Sequence, residues 1–294
     1  MSYDTIIGVN DPFYNPGGVI SCIDDLIGKI DSLKLNLKYN IKPRKEEKHK
    51  YEGLFTFEYI KSEEDILTPT LYKDINTAEP LKKEELVKLI NYLLSFKNKD
   101  LQELILNLKY LDYIPIELLS KYLIRSYTLE SDFYKQLNKD LMQSNMLDEY
   151  KAFIKILYFG IDKKSFYSSR KKFLYRGAKI NKSEIEKILN YKKEGKIQDI
   201  IVFSKAYLSF SEEEDEAAKF IGSSDNKTQG VLYILDNSNK DKMESNANIQ
   251  EFSAYPEEKE ILFFPGSSFI INDIIELNNG TIKIILNYFG KFKE

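Results

Sequence analysis

The chain has 294 residues, of which 43% are hydrophobic, and it carries a formal net charge of -3 with a pI near 5.6. A chain of this length can bury a sizeable apolar core, and its slightly acidic balance gives no reason to expect nucleic acid as a partner. No apolar run approaches the roughly 18 residues of a membrane span, and residues 1 to 25 lack the basic start and apolar core of a secretory signal, so we expect a soluble protein without a membrane partner.

Cysteine and histidine are almost absent, which limits the available chemistry. Cys22 is the only cysteine and His49 the only histidine. A disulfide within the chain is therefore excluded, which fits a reducing compartment, and neither a zinc cluster nor another metal site is expected. His49 lies in a charged stretch, where we expect a solvated side chain. The chemistry should then use carboxylates, hydroxyls, amides and arginine.

The chain begins with a segment, residues 1–79, to which the sequence assigns no role. A short helix is predicted within Val19 to Leu35, and Tyr51 to Ile60 alternate as in a strand. From residue 80 to residue 164, apolar stripes at helical spacing predict five amphipathic helices that form a helical subdomain. The stripes consist of Leu86, Ile90, Leu93 and Leu94; Leu104, Leu108 and Leu111; Leu118, Leu119, Tyr122 and Leu123; Phe133, Leu137 and Leu141; and Tyr150, Phe153, Ile154 and Leu157.

Residues 165–294 are dominated by strand patterns. The predicted strands are Phe173 to Lys179, Asp199 to Phe203, Ala206 to Phe210, Val231 to Leu235, Glu260 to Phe264, Phe269 to Leu277 and Thr281 to Phe289. Ser183 to Glu186 match a capping box that opens a helix through Tyr191, a second helix is predicted from Glu212 to Phe220, and Asn278 to Gly280 predict a hairpin turn. Many strands and few helices favour antiparallel pairing, so the predicted fold class is α+β with helices first and sheet second.

The segment from Ser253 to Gly266 joins a polar turn to an apolar run and a Pro-Gly stop. Tyr255-Pro256 favours a turn because proline fixes φ and disfavours helix at the preceding residue. If a strand begins near Glu258, the side chains of Glu258 and Glu260 point to the same side, roughly 7 Å apart. An acidic cluster of this kind is ordinarily a solvated turn, but two other segments favour a site.

These two segments are Phe173 to Gly177 (FLYRG) and Tyr207 to Ser211 (YLSFS). Together with Tyr255 to Phe263 (YPEEKEILF), they resemble the mono-ADP-ribosyltransferases of the arginine-serine-glutamate (R-S-E) class, whose motifs are Y-R-G, S-T-S and Y-x-x-E-x-E. The third motif has no mismatch, whereas Phe210 stands where the family commonly has threonine. The likeness covers roughly residues 173 to 289, and a weaker one covers Tyr127 to Asn138.

The resemblance implies a particular version of the α+β fold. It is an N-terminal helical subdomain, residues 80–164, followed by a mainly antiparallel, split β-sheet core with ADP-ribosyltransferase activity, residues 165–294. In this family a helical segment ahead of the strands commonly closes over the NAD cleft. Because the connector from residue 162 to residue 172 is short, we expect the helices to form one wall of the cleft. The alternative is an independent domain that selects the protein target.

The side chain of Arg176 needs an anionic partner because it lies in an apolar run, where burying a guanidinium is costly. That partner is either a structural glutamate or a phosphate, which the planar guanidinium binds with two hydrogen bonds. The resemblance implies that Arg176 holds the phosphate and the nicotinamide ribose region of NAD. It also implies that the absence of a side chain at Gly177 lets the backbone approach the carboxamide.

The resemblance also assigns roles to the hydroxyls and carboxylates of the motifs. Ser209 and Ser211 alternate along a strand, where serine is also a common edge residue; Ser209 would position the catalytic glutamate, and both would contact NAD. Glu260 would stabilise the oxocarbenium-like transition state through the ribose 2′-hydroxyl. Glu258 would orient an arginine acceptor and take its proton. Tyr255 would either lie at the rim of the acceptor site or pack the turn.

The predicted activity is transfer of ADP-ribose from NAD to an arginine of a target protein, with release of nicotinamide and no metal. Two alternatives stay open: an NAD glycohydrolase, in which water is the nucleophile, and a catalytically inactive NAD-binding module. The expected partner is a protein with an accessible arginine. The expected location is the cytoplasm, or a host cytosol reached without a classical signal peptide, as for bacterial effectors of this class. No sequence feature indicates an oligomeric state.

Overall fold

The computed structural model describes residues 56–57, 82–108, 114–143, 145, 147–160, 171–221, 224–238, 246–278 and 280–291. The helix predicted within Val19 to Leu35 lies outside these residues, as do Cys22 and His49. Of the strand predicted from Tyr51 to Ile60, the structure describes the short strand β1, Thr56–Phe57. The predicted boundaries at residues 79/80 and 164/165 remain predictions.

Five helices fill the first half of the described chain, as the apolar stripes predict. They are α1 (Lys83–Ser95), α2 (Lys99–Leu106), α3 (Ile116–Thr128), α4 (Asp132–Met142) and α5 (Asp148–Gly160). Their stripes meet in one apolar cluster, in which side chains such as Leu93, Tyr122, Phe133 and Phe153 are fully buried. Among the described helices, none is both long and apolar enough to cross a membrane.

The remaining strands form one sheet with β1. They are β2 (Phe173–Asn181), β3 (Ile201–Phe203), β4 (Leu208–Ser211), β5 (Thr228–Asp236), β6 (Asn246–Asn248), β7 (Glu260–Phe263), β8 (Ser267–Glu276) and β9 (Ile282–Lys291). Their order is β1-β3-β8-β9-β5-β2-β4-β7-β6. Neighbouring strands are antiparallel except β5 and β9, which run parallel. The prediction of a mainly antiparallel sheet is therefore confirmed, with this one exception.

Two short helices interrupt the strands, α6 (Lys182–Lys193) and α7 (Glu214–Ala218). The capping box predicted at Ser183 is wrong. Strand β2 stays paired with β5 as far as Asn181, opposite Thr228, so α6 begins directly at Lys182 and Ser183 lies inside its first turn. The hairpin predicted between the last two strands is present, and Gly280 has the positive φ, +79°, that such a turn favours.

The junction between β2 and β4 is the weakest in the sheet. It contains one residue pair, Tyr175 with Ser211, whereas β2 and β5 share nine pairs and β4 and β7 share four. The sheet is thus nearly divided into a six-stranded half, which ends at β2, and a three-stranded half formed by β4, β7 and β6. Side chains from the two halves can diverge at this junction and leave room for a ligand.

The helices pack against the three-stranded half. Along β7, Ile261 and Phe263 belong to the apolar core of the sheet, whereas Leu262 faces the opposite way and belongs to the helical cluster. Tyr207 and Phe264 join that same cluster. All four residues of β7 are consequently buried, as expected for a strand covered on both faces.

Candidate active site

A cavity lies at the divided junction of the sheet. One wall comes from β2 and α7, another from β4 and the start of β7, and a third from α3 and α4. The residues of the three sequence motifs that line it are Arg176, Gly177, Ser209, Ser211, Glu258 and Glu260. Segments separated by more than 80 positions in the sequence therefore meet at one place.

Glu260 is the first residue of β7, and its side chain is only 6% exposed. The hydroxyl of Ser209 on the adjacent strand β4 donates a hydrogen bond to Glu260 Oε1. Both side chains lie on rigid, paired backbone, because β4 and β7 remain in register from Leu208 to Ser211. The carboxylate is thus held in one orientation, with a polar partner that compensates part of the cost of its burial.

Arg176 spans the gap between the two halves of the sheet. Its Nη1 donates to the backbone carbonyl of Ser209, with 2.8 Å between the two atoms. Continuing the single pair of Tyr175 and Ser211 would place Ser209 opposite Gly177, but no such pair forms. The arginine side chain therefore supplies a bond to β4 at the point where the backbone ladder has stopped.

Gly177 is required by the packing of α7 against β2. A Cβ atom at this position would lie 2.0 Å from the Ala217 carbonyl oxygen and 3.0 Å from the Ile221 amide nitrogen. Both obstacles are backbone atoms, so a side chain could fit only if the helix moved. This reason for glycine is independent of the role toward NAD that the resemblance implies, and the sequence did not predict it.

The strand predicted from Glu260 to Phe264 is confirmed as β7, whereas the earlier start considered near Glu258 is not found. Residues Pro256–Glu258 form a turn of 3₁₀ helix with proline at its beginning, Lys259 follows in the left-handed conformation, and β7 begins only at Glu260. Proline favours this tight turn because its fixed φ suits the first helical position. Glu258 and Glu260 nevertheless line the same cavity, Glu258 from the turn and Glu260 from the strand.

Ser211 contacts this turn directly. Its hydroxyl donates to the Glu258 carbonyl at 2.7 Å and accepts from the Glu213 amide at 3.0 Å. Tyr255 is 7% exposed and packs in the helical cluster. This burial favours packing of the turn, the second of the two roles predicted for Tyr255, while a role at the acceptor site stays a prediction.

The departure from the family motif at Phe210 has a packing explanation. Phe210 faces away from Ser209, into the core of the sheet, where its ring centroid lies 5.1 Å from that of Phe263 and 6.0 Å from that of Phe269. A threonine could not fill the same volume between these rings. Phenylalanine in place of threonine at position 210 thus changes the packing of the core, whereas Ser209 and Ser211 still line the cavity.

Hydrogen bonds connect the cavity wall formed by α3 and α4 to the segment that leads into β4. Asn138 on α4 donates to the Tyr127 hydroxyl at 2.9 Å, and its carbonyl oxygen accepts from the Tyr207 backbone amide at 3.3 Å. Burial raises the pKa of Tyr127 well above its ordinary value; the hydrogen bond from Asn138 opposes this shift, whereas the nearby charge of Glu260 adds to it. Tyr127 is therefore a neutral phenol beside the carboxylates.

Several cavity residues were not predicted from the motifs, among them Glu130, Tyr134, Tyr175, Glu216 and Phe220. Glu216 and Phe220 are four positions apart, a helical spacing that could have placed both on one face. The described lining contains four carboxylates and a single cationic side chain, Arg176. Among the described residues, no group of three or more His, Cys, Asp or Glu is placed to hold a metal ion.

No protein-family model and no curated protein matches this sequence. Among solved structures, the chain is similar to the ADP-ribosyltransferase HopU1 of Pseudomonas syringae pv. Tomato, at 14% identity and a TM-score of 0.47 over 74% of this chain and 97% of that one. It is also similar to the Vis toxin, an ADP-ribosyltransferase from Vibrio splendidus, at 15% identity and a TM-score of 0.42 over 74% of this chain and 90% of that one. A third similar structure is C3stau2 from S. aureus, solved with NAD, at 17% identity and a TM-score of 0.43 over 71% of this chain and 97% of that one. Because the sequence identities and TM-scores are this low, the function is inferred from the geometry of the side chains.

Proposed function

We propose that this chain transfers ADP-ribose from NAD to the guanidinium group of an arginine on a target protein. The observation that carries the proposal is the convergence of Arg176, Ser209 and Glu260 in one cavity, with Ser209 bonded both to Arg176 and to Glu260. These residues come from the three segments whose order and spacing resemble the R-S-E transferases. A solvated acidic turn would require neither the burial of Glu260 nor its hydrogen bond.

The cavity is suited to NAD in the placement of its charges. Arg176 would bind the pyrophosphate, since its planar guanidinium matches phosphate oxygens with two parallel hydrogen bonds. Because that arginine is the single cationic side chain in the described lining, the anionic part of the dinucleotide has one clear position.

Glu260 would promote cleavage of the bond between nicotinamide and ribose. As this bond breaks, nicotinamide leaves as a neutral base with the bonding electron pair, and positive charge develops on the ribose. A buried carboxylate that holds the 2′-hydroxyl stabilises this charge, and its fixed orientation means that no reorganisation is needed during the reaction. The role of Ser209 is to keep Glu260 in that orientation through its hydrogen bond.

Glu258 would act on the acceptor. An arginine is protonated at neutral pH, so its nitrogen can attack the ribose only if a proton is removed as the new bond forms. Glu258 lies at the same cavity as Glu260 but on the turn that precedes the strand, so it can approach the acceptor while Glu260 engages the ribose. The further carboxylates Glu130 and Glu216 favour a cationic acceptor over an anionic one.

The test is to incubate the full chain with NAD and agmatine, a small guanidinium acceptor, and to analyse the products by mass spectrometry. We expect ADP-ribosyl-agmatine and nicotinamide, and a loss of at least about 100-fold in rate for Glu260→Ala. Glu257→Ala, which removes an exposed carboxylate three positions away, is the matched control and should retain the activity. Free ADP-ribose alone would favour a glycohydrolase, and NAD binding without turnover would favour an inactive module.

We further propose that the enzyme acts inside a eukaryotic host cell as a bacterial effector. The proposal follows from the resemblance, since stand-alone transferases of this class are commonly toxins. Expression of the chain in a eukaryotic cell should then arrest growth, and Glu260→Ala should relieve the effect. Harmless expression of an active enzyme would instead indicate an endogenous regulatory role.

A further inference from the structure

Lys259 has an unusual backbone conformation for a lysine. Its φ is +46° and its ψ is +51°, and it is the one non-glycine residue with positive φ in the described part of the chain. The left-handed region is unfavourable for residues with a Cβ atom, and such strain persists only where surrounding contacts enforce it. Lys259 stands between Glu258 and Glu260, so its backbone determines where the turn presents Glu258 relative to the strand.

The contacts that enforce this conformation come from the segment that follows β4. The Ser211 hydroxyl donates to the Glu258 carbonyl at 2.7 Å, and the Glu212 amide donates to the Lys259 carbonyl at 3.3 Å. The Lys259 ammonium group donates to Glu213 Oε1 at 2.7 Å. Residues 211 to 213 therefore hold the carbonyl that precedes Lys259, its own carbonyl and its side chain.

The ion pair between Glu213 and Lys259 is formed between charged groups at neutral pH. The hydrogen bond from Lys259, together with the charge of Lys171 at 3.6 Å, holds the pKa of Glu213 below its ordinary value. The two side chains of the pair are about two-fifths exposed, Lys259 at 41% and Glu213 at 38%. Ion pairs this exposed contribute little to the free energy of unfolding, so stability alone gives no strong reason for this one.

We propose that Glu213 is a positioning residue which, through its ion pair with Lys259, fixes the turn so that Glu258 reaches the acceptor side of the cavity. The proposal rests on the proposed function, because it concerns the second carboxylate of that reaction. Glu213 precedes α7 and makes no side-chain cap to it, so its carboxylate can be removed without loss of a helix cap. Ser211 acts in the same direction through its hydrogen bond to the Glu258 carbonyl.

The test compares Glu213→Gln with a matched control in the next residue. Glu214 forms a similar exposed ion pair with Lys283 at 2.9 Å, but this pair does not touch the turn. Transfer to agmatine and release of free ADP-ribose are measured in the same reaction, together with thermal unfolding. We expect Glu213→Gln to lower kcat/KM for agmatine about tenfold, since displacement of a reacting group by about 1 Å is enough for such losses. NAD hydrolysis and the unfolding temperature should change little, and Glu214→Gln should resemble the wild type in every respect.

A rescue separates positioning from a general effect of charge. In the Glu213→Gln background, Lys259→Gly should restore much of the transfer, because glycine adopts the left-handed conformation without strain. Equal transfer by Glu213→Gln and Glu214→Gln, or an equal loss of transfer and hydrolysis, would overturn the proposal. If the wild type proves inactive toward NAD, the proposed function fails, and a crystal structure of Glu213→Gln decides the positioning role: a displaced turn supports it, and an unchanged Glu258 carboxylate refutes it.

Discussion

The Arg176 guanidinium donates from Nη1 to the backbone carbonyl of Ser209, 2.8 Å away, and so joins β2 to β4 where their backbone pairing ends after a single pair. The same serine donates its hydroxyl to Glu260. The residue proposed to bind phosphate and the residue proposed to stabilise the ribose cation are therefore connected through Ser209. Changes at Arg176 should affect the binding of NAD before they affect folding.

Arg176→Lys tests this expectation. Lysine keeps the positive charge and can still reach a carbonyl, but it cannot form two parallel hydrogen bonds to a phosphate. We expect the Kd for NAD to rise at least about tenfold, or ~1.4 kcal/mol, with little change in the unfolding temperature. Isothermal titration calorimetry and thermal unfolding measure the two quantities. An unchanged Kd would show that the guanidinium does not bind the dinucleotide.

Gly177→Ala should destabilise the fold because the new Cβ atom would meet the Ala217 carbonyl at 2.0 Å. Overpacking of this kind costs about 1–3 kcal/mol, and here the obstacle is backbone, so we expect the upper part of that range and a fall in transferase activity as α7 shifts. Gly195→Ala serves as a comparison of a different kind: Gly195 has φ of +71° but nothing within 4 Å of its added Cβ, so alanine there should cost about 1–2 kcal/mol of backbone strain without a clash. Chemical denaturation and the transfer assay should show that Gly177→Ala loses both stability and activity, whereas Gly195→Ala keeps its activity, and unchanged stability of Gly177→Ala would contradict the packing argument.

Asp140 should make the stability of the helices dependent on pH. It is buried, and although burial opposes ionisation, hydrogen bonds from Tyr150 at 2.7 Å and Gln136 at 2.9 Å hold its pKa below the ordinary value. Because the folded-state pKa is the lower one, the stabilisation is present above the unfolded pKa of about 3.9 and is lost as the pH falls toward the folded value.

Asp140→Asn should therefore lower the free energy of unfolding at pH 7 and reduce its decline between about pH 5 and pH 3. Tyr150→Phe removes the hydrogen bond from the Tyr150 hydroxyl to Asp140 and should also lower the free energy of unfolding at pH 7. The same substitution removes the contact of that hydroxyl with the Tyr92 hydroxyl on α1, at 2.8 Å. Urea unfolding at a series of pH values measures both variants. An unaltered pH dependence in Asp140→Asn would show that this carboxylate is not the group responsible.

The fragment from residue 165 to residue 294 should neither fold nor cleave NAD. Without the helices, Leu262, Phe264 and Tyr207 would lose the apolar cluster in which they are buried. The fragment would also lack Asn138, which accepts a hydrogen bond from the Tyr207 backbone amide, just before β4. Circular dichroism and an NAD cleavage assay test this expectation. A fragment that unfolds cooperatively and still cleaves NAD, but no longer modifies its protein target, would show that the helices are a separate recognition domain.

Much of this architecture could be predicted from local patterns. The helical stripes give the five helices because their spacing depends only on which residues are apolar, and Phe173 to Gly177 gives β2 for the same reason. The residues of the three motifs that meet in the cavity could be predicted because their order and spacing resemble a known family. Glu258 and Glu260 line one cavity, although Glu258 reaches it from a 3₁₀ turn and not from a strand shared with Glu260.

The remaining features depend on contacts between distant segments. The left-handed backbone of Lys259 is enforced by Ser211 and Glu213, and no local rule assigns that conformation to a lysine. Likewise, the parallel pairing of β5 with β9 follows from the order of the whole sheet. The burial of Tyr255 depends on the helices, whose packing against the loop the motif itself does not encode.

The measurement that tests the central claim most directly is the ratio of arginine-linked to free ADP-ribose produced from NAD by the wild type and by Glu258→Gln. The claim is that Glu260 serves the ribose whereas Glu258 serves the acceptor, each from its own element beside one cavity. We predict that Glu258→Gln lowers the ratio at least about tenfold, because an amide cannot take the proton of the acceptor, while NAD is still hydrolysed. An unchanged ratio, with transfer and hydrolysis reduced equally, would contradict this division of roles.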